Sequence, residues 1–160
     1  MILEKSDRRI LAALQENSRL TNQQLAERAG LSAAACWRRV KALEETGVIR
    51  RYTALLDPKK VGQGECVFAH ISLERHTMET TEAFVAAVRR HPEILECYAT
   101  TGEADYLLRV VVPEIAAYDR FLRDFVFQLP CVARVHSNFA LREVKWDSAL
   151  PVGEEAIRER

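Results

Sequence analysis

The segment LAERAGLSAAACWRRV at 25–40 stops one helix and starts another within three residues, and few folds accommodate that. Gly30 supplies the left-handed backbone that commonly ends a helix, and Ser32 follows as a cap whose hydroxyl accepts from a free amide of the next helix. The helix before the turn starts at Thr21, with Gln24 three residues on as in a capping box, and points Leu25 and Ala29 inward. The helix after it is predicted over 33–46, stopped by Gly47. Cys36, Val40 and Leu43 share its buried face, so Ala34, Arg38, Lys41 and Glu45 point outward with Trp37 and Arg39 on the flanks. A first helix over 7–16, marked by Ile10, Leu11 and Leu14 and broken at Asn17-Ser18, completes the set. Short helices joined by so tight a glycine turn read as a helix-turn-helix, whose last helix can enter the major groove of DNA.

Residues 49–56, IRRYTALL, form a strand-like stretch opened by two arginines and closed by Asp57-Pro58, which predicts a wing. Lys59, Lys60, Gly62 and Gly64 make a polar connection, so the first domain is expected over 1–60. Beyond it the periodicity changes type repeatedly. Strands are predicted over 66–73, 94–100, 106–112 and 132–144, one helix over 81–90, and a second opened by Glu114 with Ile115, Tyr118, Phe121, Leu122 and Phe125 as its apolar residues. The order βαββαβ is the ferredoxin-like arrangement, expected over 61–150 with a charged tail over 151–160 that frays from Gly153. The fold class is therefore α+β.

Charge divides the chain in the same way. Residues 1–60 hold 12 Lys and Arg against 7 Asp and Glu, a net of +5; with 23 of each in the whole chain, residues 61–160 hold 11 against 16, a net of −5. A basic head on an acidic body suggests that the head meets a polyanion and the body something else. The start, MILEKSDRRI, lacks the apolar core of a signal peptide, and no apolar run reaches the roughly 20 residues of a membrane span, so a cytoplasmic location without membrane contact is expected. Cys36, Cys66, Cys97 and Cys131 lack the close pairs of a zinc site and read as reduced, small, buried apolar residues. Sequence motifs of a serine hydrolase elbow, a P-loop or a zinc protease are missing, and His70, His76, His91 and His136 are scattered; neither enzymatic activity, nor a metal, nor a cofactor is expected.

With Asp7-Arg8-Arg9-Ile10-Leu11, LAERAGLS at 25–32, CWRRVKALEETGVI at 36–49, YTALLDP at 52–58 and TGEADYLLRV at 101–110 in one continuous order, the chain resembles the leucine-responsive (Lrp/AsnC) regulatory proteins of bacteria and archaea along nearly its whole length. The resemblance implies a winged helix-turn-helix followed by a ligand-sensing ferredoxin-like domain, dimers formed through the C-terminal sheet, and octamers as tetramers of dimers. It also implies a regulator of amino-acid metabolism answering to an amino-acid effector. An alternative function on the same fold is an architectural protein that organises DNA without sensing anything.

On this reading the DNA-binding residues are Ser32, Ala34, Trp37, Arg38, Arg39 and Lys41, joined by Arg50 and Arg51 of the wing. An arginine can reach guanine O6 and N7 bidentately, a helix N-terminus suits a phosphate, and Trp37 either lies on the sugar-phosphate backbone or covers the edge of the core. The resemblance places the effector near the turn at 101–106, where Gly102, Asp105 and Tyr106 match the family pattern, while Glu103 and Ala104 depart from it. An amino acid needs an acceptor for its ammonium and donors for its carboxylate. Asp105 and the amides around Gly102 are candidates, with hydroxyls of Thr100 and Thr101, with Glu103 and Tyr106 of the same turn, and with His136 and Ser137 at the border. Gly102 and Asp105 also admit a purely structural role in the turn.

Overall fold

The computed structural model describes residues 2–74 and 77–152, which fall into two compact units: 2–54 with 145–152, and Leu55–Val144. The expected limits, 1–60, 61–150 and 151–160, differ from this division in two ways. The first boundary comes six residues earlier, and residues 145–150 join the helical unit instead of the sheet domain. Residues 153–160, where the frayed tail is expected, and His76 lie outside the described residues.

In the helical unit α1 spans Lys5–Glu16, α2 Asn22–Ala29 and α3 Ala33–Glu45. Each start has its cap. Glu4 and Asp7 form a reciprocal capping box on α1, Thr21 and Gln24 do so on α2, and the Ser32 hydroxyl accepts from the Ala35 amide at 3.2 Å on α3. Gly30 ends α2 with φ of 70°, a left-handed conformation that a side chain would strain. Ile10, Leu11, Leu25, Ala29, Cys36 and Leu43 close the core between the three helices, as their spacing predicts. The chain end reinforces it: the Gln15 amide donates to the Leu150 carbonyl (3.0 Å) and accepts from the Leu150 amide (2.6 Å), and Val152 packs on the same core.

The strand expected over 49–56 does not form. A strand needs a neighbour to complete its ladder, and among the described residues this stretch has none. It is held to α3 instead, through the Ile49 amide on the Leu43 carbonyl (3.0 Å) and the Tyr52 hydroxyl on the Glu44 carboxylate (2.9 Å). Burial and that carboxylate push the Tyr52 phenol up to about 12.

The second unit has the order β1 (Glu65–Leu73), α4 (Met78–Arg90), β2 (Ile94–Ala99), β3 (Tyr106–Val112), α5 (Ile115–Asp124) and β4 (Val132–Phe139). Its fully antiparallel sheet runs β2-β3-β1-β4, the ferredoxin-like topology. Alternation puts Val67, Ala69, Ile71 and Leu73 of β1, with Leu108, Val110 and Val112 of β3, under the helices, where Phe84, Tyr118 and Phe121 complete the core. The other face carries Cys66, Phe68, His70 and Ser72 of β1 opposite Leu107, Arg109 and Val111 of β3.

Two element limits move for plain reasons. α4 begins three residues before the expected Thr81, because Thr77 accepts from the Thr80 amide and caps it. β4 stops at Phe139, opposite Val67, rather than at Val144; one further bond, from the Ala140 amide to the Cys66 carbonyl (2.9 Å), closes the ladder. The cysteines are free thiols; Cys36 and Cys131 are buried as expected, Cys66 is half-buried, and Cys97 is exposed on the edge strand β2. His91 wedges between Phe121 and Phe125, ring centroids 5.0 and 4.1 Å away, an ordinary core-edge position. No helix among the described residues is long and apolar enough to cross a membrane.

Candidate nucleic-acid interface and ligand pocket

The outward face of α3 bears the predicted residues. Ala34, Trp37, Arg38 and Lys41 are exposed, as are Ser32 at the helix start and Arg50 and Arg51 in the extended stretch that follows. Arg38 holds no carboxylate among the described residues, while Lys41 lies 3.8 Å from Glu45 and 5.1 Å from the centre of the Trp37 ring. Trp37 is 55% exposed, with the Lys41 ammonium over its ring.

Arg39 has another task. Its guanidinium donates to Asp7 Oδ1 at 2.9 Å and pairs with Glu4, tying α3 to the capped start of α1. The bond to Asp7 holds the guanidinium's pKa above its ordinary value. Asp7, 5% exposed, is the buried charge that this arginine answers. Arg39, expected among the DNA-binding residues, thus holds two carboxylates at the contact of α3 with α1. Spacing alone set Arg39 on the flank of the exposed face; its partners lie more than thirty residues away in sequence.

A 610 Å³ pocket opens on the helix-free face of the sheet, beneath the turn between β2 and β3. Of the predicted residues, Thr100, Thr101, Glu103 and His136 line it. His70 and Ser72 of β1 and Arg134 and Asn138 of β4 line it too, and sequence reasoning missed them. The signal was present: alternation puts His70 with Ser72, and Arg134 with His136 and Asn138, on one face of their strands. What was missing is the register, which pairs His70 with His136 and Ser72 with Arg134. Histidines read as scattered become cross-strand neighbours, ring centroids 6.0 Å apart.

Four predicted residues turn elsewhere. The Asp105 carboxylate accepts from the Leu73 amide at 2.7 Å, its own amide donates to Ile71, and its carbonyl accepts from Thr100, so Asp105 latches the turn to β1. The Tyr106 ring lies 4.6 Å from that of Phe84 at the edge of the core. Ser137, odd where His136 is even, faces the helices and bonds the Tyr118 hydroxyl at 2.6 Å. Gly102 takes φ of 117° in the turn, the structural duty that a glycine there serves. The Thr100 hydroxyl donates to the Ala104 carbonyl at 2.8 Å and closes the same turn.

Known proteins match this architecture in order. The sequence profile of winged helix-turn-helix DNA-binding domains matches residues 3–50, and that of the Lrp/AsnC ligand binding domain matches residues 66–150. The chain is 39% identical over 151 residues to the DNA-binding transcriptional activator DecR of Escherichia coli, spanning 94% of this chain and 99% of that protein. It is 39% identical over 150 residues to the leucine-responsive regulatory protein of Salmonella typhimurium, spanning 94% and 92%. Among solved structures, a transcriptional regulator of Neisseria meningitidis in complex with L-Met superposes with a TM-score of 0.88 at 42% identity, covering 94% of this chain and 97% of that one. Two domains in this order, carrying a cationic recognition helix and a pocketed ferredoxin-like sheet, make the chain a member of the Lrp/AsnC family of DNA-binding transcriptional regulators.

Proposed function

We propose that this regulator binds specific DNA sites of genes for amino-acid metabolism and that a small amino acid modulates its binding or assembly. The observation that carries the DNA half is the α3 face: Arg38, which holds no carboxylate among the described residues, stands beside Lys41 and Trp37 at the end of a capped helix-turn-helix. Arg38 and Lys41 are assigned to base edges, and Ser32, Arg50 and Arg51 to phosphates, with Ala34 at the groove floor and Trp37 against the backbone. The effector half is supported by the pocket beside the 100–104 turn and by the L-Met bound to the Neisseria relative. Thr100, Thr101, Glu103 and His136 are its assigned lining, while Gly102, Asp105 and Tyr106 shape the turn and Ser137 supports it from the helix side.

One small helix-turn-helix contacts few base pairs, so useful discrimination needs two copies reading spaced half-sites. Outside the pocket, the sheet face without helices offers the surface for dimerisation, since Phe68 and Tyr98 lie on it beside the Glu96–Arg109 ion pair. Dimers in turn assemble as octamers, and the protein works in the cytoplasm where its DNA lies.

The test is binding of the full chain to its own upstream DNA over a salt series, with and without each common amino acid. Affinity that falls steeply with salt and shifts with one amino acid supports the proposal. DNA binding that no amino acid alters favours an architectural protein, and absence of DNA binding removes the reading altogether.

A further inference from the structure

What α3 can read depends on its roll about its own axis. Its apolar grip on the core consists of Cys36, Leu43 and the half-buried Val40, and apolar contact is non-directional, so it restrains a small roll less sharply than a directional bond does. On the outward side the same roll matters. At a radius of about 6 Å, a turn of about 15° carries a side-chain end by roughly 1.5 Å, about half the length of a hydrogen bond.

Two polar ties oppose such a roll. On one flank the Arg39 guanidinium donates to Asp7 Oδ1 at 2.9 Å and pairs with Glu4 of the α1 capping box. On the other flank the Glu44 carboxylate accepts from the Tyr52 hydroxyl at 2.9 Å. At about 100° per residue, Arg39 and Glu44 stand about 140° apart with Cys36, Val40 and Leu43 between them, and Arg38 lies roughly midway round the opposite side. The Asn22 side-chain amide donates to the Ala33 carbonyl at 2.8 Å and holds the first turn.

Neither tie is accounted for by packing. Asp7 is 5% exposed, and a charge so buried requires a partner of fixed geometry. Tyr52 belongs to the extended stretch after α3, and its bond to Glu44 is exposed, so it adds little stability and mainly sets direction. The phenol keeps its proton for that bond, since burial and Glu44 push it up to about 12. We infer that Arg39 with Asp7 and Glu4, and Tyr52 with Glu44, are positioning residues that hold α3 from opposite flanks, fixing its roll and thereby which base edges Arg38 and Lys41 meet, without touching DNA themselves. This rests on the DNA-binding reading above and adds to it the residues that aim the recognition helix.

The test is binding of the full chain, over a salt series, to the duplex it protects in its own upstream DNA and to the same duplex with its base order scrambled. Tyr52→Phe and Arg39→Gln are compared with the parent chain at a temperature where circular dichroism shows them folded. Each variant should keep its affinity for the scrambled duplex within about twofold, lower the preference for the protected site by about fivefold or more, and leave the salt slope unchanged. The preference should be lost at the base pairs where Arg38→Ala loses it. Equal loss on both duplexes, the mark of a merely structural role, overturns the inference, as does a preference that folded Tyr52→Phe retains. So does a salt slope lowered by about 1 in Arg39→Gln, which makes Arg39 itself a phosphate contact. If Arg39→Gln does not fold, Tyr52→Phe decides alone. If the parent chain does not discriminate the two duplexes, the reading of specific sites fails and the inference falls with it.

Discussion

Adjacent residues on one helix carry opposite duties here, and their partners tell them apart. Arg38 faces solvent without a carboxylate among the described residues, whereas Arg39 answers the buried Asp7 and ties α3 to α1. Arg38→Ala is expected to leave the unfolding free energy within about 0.5 kcal/mol and to weaken DNA binding, lowering the salt slope by about 1 if the contact is to phosphate. Arg39→Ala is expected to cost about 1–3 kcal/mol in stability, read by urea titration, because it leaves the buried Asp7 carboxylate with the Glu4 amide but without its cation. Thiol chemistry sorts the cysteines equally sharply. Iodoacetamide should label Cys97 in the native protein, while Cys36 and Cys131, both buried, stay protected until the chain unfolds.

At the scale of elements, the unit that carries α3 is completed from the far end of the sequence. Residues 145–152 return to it, and a single side chain, Gln15, pairs with both the amide and the carbonyl of Leu150. Each bond is exposed and so contributes modestly, but Val152 adds apolar contact with the same core. Deleting residues from 145 onward should lower the stability of the helical unit by about 1–2 kcal/mol, visible as faster amide exchange in the last turn of α1. Unchanged exchange there would mean that the clasp contributes nothing. Capping is the other lever: Thr77→Ala removes the cap of α4 and should cost about 1 kcal/mol in the sheet unit.

For the whole molecule, the sheet topology leaves one broad face without a helical cover. That face carries Phe68, 37% exposed, together with Tyr98 and the Glu96–Arg109 pair. Phe68→Glu should shift the protein toward monomer in size-exclusion chromatography with light scattering, since a carboxylate on a packed apolar face lacks a partner. The monomer should then bind a two-half-site operator far more weakly than the dimer does, because each helix-turn-helix reads few base pairs alone. A Phe68→Glu protein that keeps its oligomeric mass moves the interface elsewhere.

Local chemistry determined a great deal by itself. Gly30, Ser32, Thr21 and Gln24 fix the helix-turn-helix because caps and left-handed turns act over three or four residues. Period-2 alternation likewise marks β1, β3 and which of their side chains face the core, whatever lies next to them. The tertiary structure decided everything that depends on a partner distant in sequence. Arg39 was claimed by Asp7, the stretch at 49–56 found no ladder among the described residues, and β4 ended opposite Val67. The strand register brought His70 to His136 and Arg134 to Ser72, while Asp105 was drawn onto β1. Sequence periodicity tells which way a side chain points, but only the pairing of strands and helices settles what it meets, and a binding site is made of such meetings.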